Sequence, residues 1–128
     1  MRILFWGTPN FAVPSLKALA NESIEIVGVV TQPDRPAGRG RRMKRSPVKE
    51  AALNLGYEVL TPDRPHGDEF IEHIKGLGPE LSVVVAYGHI LKREVLDLPS
   101  RGSINVHASL LPQLRGAAPV NWAIIRGH

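Results

Sequence analysis

Leu81-Ser82-Val83-Val84-Val85-Ala86 carries the strongest strand signal in the chain. Val83, Val84, Val85 and Ala86 are apolar on successive residues, the pattern of a strand covered on both faces rather than one with a wet side. Four other runs of the same kind flank it: Ile3 to Trp6, Ile24 to Thr31, Tyr57 to Leu60 and Ser103 to His107. Each is β-branched or apolar and bounded by turn residues. Helical signals fill the intervals. Phe11 to Ala20 carries Pro14 early, where a missing N–H costs least. Pro47 to Leu55 has Ser46 as its N-cap, Pro47 at the first helical position and Gly56 as its stop. Asp68 to Lys75 places Phe70, Ile71 and Ile74 at helical spacing before Gly76. Lys92 to Leu96 reads as a short turn or helix ended by Pro99, and Pro119 to Arg126 as the opening of a last helix. Strand and helix in alternation predict an α/β protein with a Rossmann-like, doubly wound, mainly parallel sheet and right-handed crossovers. Ligands of such sheets bind beyond the carboxyl ends of the strands, so chemistry is sought just after each one.

The bulk numbers agree with one domain. A chain of 128 residues, 43% hydrophobic and 22% charged, has the composition of an ordinary globular protein. It can bury roughly two-thirds of its unfolded surface. It has no cysteine, which excludes disulfides and thiolate metal sites and fits a reducing, cytoplasmic setting. The apolar run at Ile3 to Trp6 ends at Gly7-Thr8-Pro9-Asn10, too soon for the core of a secretion signal. No stretch reaches the ~20 apolar residues of a membrane span. The formal net charge is +4, and Arg39, Arg41, Arg42, Lys44 and Arg45 crowd into seven residues of it. They lie in Gln32 to Arg45, which reads as a long irregular segment rich in Pro, Gly and Arg. Two readings stand for this cluster: a contact for a polyanion, or a solvated loop that binds nothing.

The turn after the first strand, Gly7-Thr8-Pro9-Asn10-Phe11, holds one glycine and a proline. Pro9 deletes a backbone donor that a pyrophosphate would need, which argues against a dinucleotide site. Arg39-Gly40-Arg41 lacks the spacing of a phosphate loop. Asn105-Val106-His107 is different. Residues i and i+2 of a strand face the same way, so Asn105 and His107 can converge on one point. An amide donor beside an imidazole suits acyl transfer, the first stabilising an oxygen that becomes anionic and the second moving a proton. Two polar residues satisfied by nearby backbone would leave the same trace. The loop that follows, Ser109 to Pro119, is restricted by two prolines and a glycine.

Here a resemblance becomes specific. Asn105-Val106-His107-Ala108-Ser109-Leu110-Leu111-Pro112, followed by Arg115-Gly116-Ala117-Ala118-Pro119 and Trp122, resembles the signature of the 10-formyltetrahydrofolate-dependent formyltransferases. Gly7-Thr8-Pro9, Phe11, the run from Thr31 to Gly40, Ser46-Pro47-Val48-Lys49 and Ala86-Tyr87-Gly88 are similar to the branch that acts on initiator methionyl-tRNA. The resemblance covers essentially the whole chain. It implies that a folate carrying a formyl group docks in the cleft, that Asn105 stabilises the oxyanion and that His107 manages the proton. Folate contacts are implied for Ala86, Tyr87, Gly88, Ile90 and Leu91, and for Ser109, Leu110, Leu111 and Pro112. His89 is given no catalytic part. The basic loop, with Arg35, Arg39, Arg41, Arg42, Lys44 and Arg45, resembles the insertion that grips tRNA. No metal and no membrane is implied.

One departure stands out. The family's third catalytic residue is an aspartate downstream of the helix expected at Pro119, and none of Asp34, Asp63, Asp68 or Asp97 sits in a matching motif. Residues 1–128 thus read as the N-terminal part of a formyltransferase catalytic domain, without its later strands and C-terminal barrel. Weak or no activity of this stretch by itself, and a sheet edge left bare after five strands, follow as expectations. The alternatives are formyltransferases acting on glycinamide ribonucleotide or amino-sugar nucleotides, a non-catalytic tRNA-binding module, and an oxidoreductase. The basic run and the Gly-Ala-Ala-Pro loop weigh against the first pair, and the missing glycine fingerprint against the last.

Overall fold

The apolar run of Leu81 to Val85 is one of the two middle strands of the main sheet, and its alternate residues feed two separate cores. The computed structural model describes residues 1–40, 42–108 and 120–125, with side chains described as far as residue 106. The elements in chain order are β1 (Arg2–Gly7), a short 3-10 turn (Asn10–Ala12), α1 (Val13–Ala20), β2 (Glu25–Val30), β3 (Arg35–Ala37) and β4 (Arg42–Lys44). There follow α2 (Pro47–Leu55), β5 (Val59–Leu60), α3 (Asp68–Leu77), β6 (Leu81–Val85), α4 (Arg93–Leu96), β7 (Ser103–Ala108) and β8 (Val120–Ile125). The main sheet runs β5-β2-β1-β6-β7-β8. Its first five strands are parallel, and β8 returns antiparallel to β7.

Ile3, Phe5, Val29, Val83, Val85 and Val106 point to one face, where Leu16 of α1 and Val48, Ala51 and Ala52 of α2 cover them. Leu4, Trp6, Val30 and Val84 point to the other, under Ile74 of α3 and Val95 of α4. The period-two alternation of β1 and β6 therefore builds a three-layer α/β/α sandwich. Each valine of β6 buried this way contributes about 1.5–3 kcal/mol relative to exposure. The caps act as the sequence suggests. Ser46 Oγ accepts from the backbone N–H of Lys49 at 3.0 Å, and Pro47 opens α2.

Three expectations change. Gln32 to Arg45 is not irregular, because β3 and β4 pair within it as an antiparallel hairpin. α3 passes through Gly76 and closes at Gly78 instead. Where a helix was expected over Pro119 to Arg126, the described residues Val120–Ile125 form a strand: all six pair with β7, from Ala108 opposite Val120 to Ser103 opposite Ile125. The reason is tertiary. β7 otherwise carries a row of unpaired backbone groups, and Val120-Asn121-Trp122-Ala123-Ile124-Ile125 is rich in β-branched and aromatic residues suited to pairing there. The bare edge expected after the fifth parallel strand is thus occupied by β8. Among the described residues no helix is long and apolar enough to cross a membrane.

Candidate active site

The strand order reverses between β1 and β6. From β1 the chain proceeds outward through β2 and β5, then returns to the other side of β1 as β6. The two strands stay paired to their ends, Gly7 opposite Val85, and the connections beyond them lead to α1 on one face and α4 on the other, which leaves a crevice past the carboxyl ends. Gly7 ends β1 there for a steric reason. A Cβ on it would lie 2.9 Å from the Ala12 Cβ and 2.9 Å from the Val85 carbonyl oxygen, closer than real side chains approach.

Beyond these ends the backbone is laced together. Thr8 Oγ1 donates to the Tyr87 carbonyl at 2.7 Å, and Gln32 Nε2 donates to the same oxygen at 3.3 Å. The Gln32 backbone N–H reaches Thr8 Oγ1 at 3.4 Å, a long contact. Residues just past β1, β2 and β6 are so held to one carbonyl. The segment they hold is unusual in conformation. Ala86 has a φ of 52°, a left-handed setting that costs a non-glycine residue about 1–2 kcal/mol. Gly88 follows with a φ of 103°, and a side chain there would press on Gln32 Nε2 at 3.1 Å.

The Tyr87 ring turns inward. It is buried in the second core and meets the Trp6 ring edge-on, with centroids 5.2 Å apart. Trp6 Nε1 donates to Ser82 Oγ at 3.1 Å, which satisfies that indole. The Tyr87 hydroxyl is buried and has no hydrogen-bond partner among the described residues, and burial pushes its pKa up to about 12.

A cavity of about 510 Å³ opens over this segment. Its walls are largely apolar: Phe11, Val84, Ala86, Tyr87, Ile90, Leu91, Leu96 and Val106, with Asn105 and His89 as the polar members. Asn105 is half-buried on β7, adjacent in the sheet to Val84 of β6. Ser103, two residues earlier, donates its hydroxyl to the Leu96 carbonyl at 2.8 Å and ties β7 to α4 below the cavity. Ile90 stands at the rim almost wholly exposed, at 96%. An apolar enclosure of this size with one amide on its wall has the form of a small-molecule site.

Of the residues named from sequence, Ala86, Tyr87, Ile90, Leu91 and Asn105 come together around this cavity. Gly88 is not in the wall but lies against Gln32. His107 follows Asn105 on β7, where its backbone opposes Asn121, but its side chain lies outside the described residues, as do Ser109, Leu110, Leu111 and Pro112. The sequence reading missed Thr8 and Gln32, although both directly follow strands, where chemistry was sought. It also missed Phe11, Leu96 and Val106 in the wall.

The basic residues form a second feature beside the first. In the hairpin Arg35 opposes Lys44 and Ala37 opposes Arg42, with Arg39 in the turn and Arg45 after β4; all are exposed. Arg41 lies outside the described residues. Like charges facing each other across a strand pair repel, so the hairpin holds positive charge at a cost. Among the described residues of this cluster, only Arg45 has an acidic neighbour, Glu50 at 3.7 Å, a surface pair of little worth. The hairpin's base is fixed by Lys49 Nζ on Asp34 Oδ1 at 2.9 Å, and by the buried hydroxyl pair of Thr31 and Ser46 at 2.7 Å. Among the described residues, no group of three or more His, Asp or Glu side chains is placed to hold a metal ion.

Residues 1–128 match the model of the family described as formyl transferase. The chain belongs to that family. It is 58% identical over its whole length to a methionyl-tRNA formyltransferase of Caldanaerobacter subterraneus and 54% identical to that of Ruminiclostridium cellulolyticum. It spans about 42% and 41% of those relatives' lengths. Among solved structures, this formyl transferase chain is similar to phosphoribosylglycinamide formyltransferase from Anaplasma phagocytophilum, with a TM-score of 0.66 and 19% identity. That match covers 98% of this chain and 65% of the other. Glycinamide ribonucleotide transformylase 1 from Symbiobacterium toebii also gives a TM-score of 0.66, at 16% identity over 100% of this chain and 67% of that one. These distant likenesses show the Rossmann-like fold alone.

Proposed function

We propose that this formyl transferase chain supplies the cleft in which a formyl group passes from 10-formyltetrahydrofolate to the amino group of methionine on initiator methionyl-tRNA. The observation that carries the reading is Asn105 on the wall of an apolar cavity at the switch point of the sheet, with a basic hairpin nearby in the fold. The high identity to methionyl-tRNA formyltransferases supports that acceptor over smaller amines. Cytoplasm, where such a tRNA is used, is the compartment the reading gives.

The residues fit the donor. A folate presents the faces of its pterin and aminobenzoyl rings as apolar surface, while the pterin edges carry hydrogen-bonding atoms. Ala86 to Leu91, with Phe11 and Leu96, offers it an apolar slot of suitable size, and Ile90 and Phe11 are exposed surfaces that a bound ligand would cover. Ser109 to Pro112 complete the folate contacts in this reading. As the acceptor amine attacks the formyl carbon, the formyl oxygen gains negative charge. The Asn105 amide donates to that oxygen beside largely apolar walls, where such a bond is stronger than in open water. His107, two residues along the same strand, takes the proton released by the amine; the bond between the formyl carbon and N10 then breaks, the carbonyl re-forms, and N10 leaves with a proton as tetrahydrofolate. Arg35, Arg39, Arg41, Arg42, Lys44 and Arg45 meet the phosphates of the tRNA.

The test is acceptor choice in the full protein. With 10-formyltetrahydrofolate supplied, methionyl-tRNA should yield formyl-methionine after deacylation, while glycinamide ribonucleotide should yield no formylated product. Transfer to the ribonucleotide alone would overturn the acceptor assignment. Salt-sensitive tRNA binding without any transfer would favour the second reading, a binding module for which the hairpin alone matters.

A further inference from the structure

Gln32 is where the hairpin and the cavity meet. It is buried at 6% exposure, one residue past Thr31 and three before Arg35. Both ends of its side-chain amide are used. Its Oε1 accepts from Arg35 Nη2 at 2.9 Å, and its Nε2 donates to the Tyr87 carbonyl at 3.3 Å. A guanidinium only donates and a carbonyl only accepts, so a single orientation of the amide serves both. Flipping it would break both bonds. Gly88 lets the amide lie this close, since a Cβ there would crowd Nε2 at 3.1 Å. The atoms so gripped belong to the 86–91 segment that walls the cavity, including Ala86 in its strained setting.

The other end of the relay faces solvent. Arg35 is exposed, and among the described residues its guanidinium has no partner except Gln32. Its remaining donors are open to a phosphate. An exposed arginine side chain is mobile, and a phosphate that fixes it prepays the ordering cost of the contact with Gln32. We propose that Gln32 is a positioning residue that links polyanion binding at the hairpin to the shape of the folate cleft, so that tRNA on Arg35 tightens folate binding. It rests on the function proposed above, and adds to it a reciprocal coupling between the two substrates. Gln32 touches neither substrate; it acts through Arg35 on one side and the Tyr87 carbonyl on the other.

The coupling is measurable without turnover. In the full protein, the dissociation constant of 5-formyltetrahydrofolate, a non-donating folate, is determined by calorimetry with and without saturating uncharged initiator tRNA. Wild type should bind the folate roughly fivefold or more tightly in the presence of tRNA, the lower end of typical coupling between sites. Gln32→Leu, which removes both amide bonds, should bring that ratio to about one. Gln32→Glu keeps an acceptor for Arg35 but sets a carboxylate against the Tyr87 carbonyl, and should lose the coupling as well. A merely structural role would weaken folate binding equally with and without tRNA, leaving the ratio intact. If the buried substitutions fail to fold, Arg35→Gln cuts the same relay from the exposed side, and the ratio at saturating tRNA should again fall to about one. The proposal is overturned if wild type binds both ligands with no change in folate affinity, or if folded Gln32→Leu or Arg35→Gln keeps the wild-type ratio. A wild-type protein that binds no folate would overturn the function proposed above, and the relay with it.

Discussion

Replacing Tyr87 with phenylalanine isolates one oxygen atom whose surroundings are well defined. The residue is 2% exposed, its ring packs on Trp6, and its hydroxyl has no hydrogen-bond partner among the described residues. Burying a hydroxyl without a partner costs about 1–3 kcal/mol. Removing it forfeits only a few dispersion interactions of about 0.1–0.2 kcal/mol each. Tyr87→Phe should therefore stabilise the fold by roughly 1 kcal/mol, raising the melting temperature by about 3–5 °C for a domain of this size. The pH dependence gives a second, independent reading. The phenol's pKa is raised from 10.0 to about 12 by desolvation, so the folded state holds the proton more tightly than the unfolded chain. Stability is then intact below the unfolded pKa of about 10 and falls as pH rises toward about 12, by up to about 3 kcal/mol for a shift of that size. Urea melts of both proteins at about pH 8 and again at about pH 11 separate the two effects. The variant should be ahead at the lower pH and further ahead at the higher. A variant less stable than wild type by more than about 1 kcal/mol would show that the hydroxyl has a favourable partner. A gap that does not widen with pH would show that the phenol is not desolvated.

Two other substitutions probe the parts that position the cleft. Ser46→Ala removes the N-cap of α2 and strands the buried Thr31 hydroxyl, so it should cost about 2–3 kcal/mol, more than a cap alone, as read by urea denaturation. An effect below about 0.5 kcal/mol would mean that neither bond matters in solution. Arg41→Ala with Arg42→Ala should weaken tRNA binding in the full protein and reduce the slope of log affinity against log salt by about two, one for each phosphate no longer neutralised. An unchanged slope would remove the hairpin from the tRNA interface.

The parallel sheet was legible because its signals are local. Val83-Val84-Val85 reads as a doubly buried strand in isolation, and Ser46-Pro47 through Gly56 carries both the start and the stop of α2. The hairpin was less so, since β3 and β4 are three residues each and mostly basic or proline, a composition with no strand period. β8 was misread for a different reason. Pro119 is a sound helix opener, but the choice between helix and strand is made by the free edge of β7, which no window over 119–126 contains. At the site, strand spacing gave Asn105 a direction, and the resemblance of the surrounding motif singled it out. Gln32 could not, since its importance lies in two bonds made to Arg35 and Tyr87, the second 55 residues away. At Tyr87 the resemblance implied a folate contact; the structure places its ring both in the second core and in the cavity wall, and makes its carbonyl the atom the neighbouring residues hold.

In the proposed function, Asn105 stabilises negative charge on a formyl oxygen in the cavity over β6 and β7. Single-turnover formyl transfer by the full protein, from 10-formyltetrahydrofolate to methionyl-tRNA, tests it in wild type and Asn105→Ala. Removing one oxyanion donor predicts a rate lower by about a hundredfold or more, with folate affinity little changed. A variant that transfers formyl at the wild-type rate would rule out Asn105 as the oxyanion donor, and the chemistry would have to lie elsewhere in the cleft.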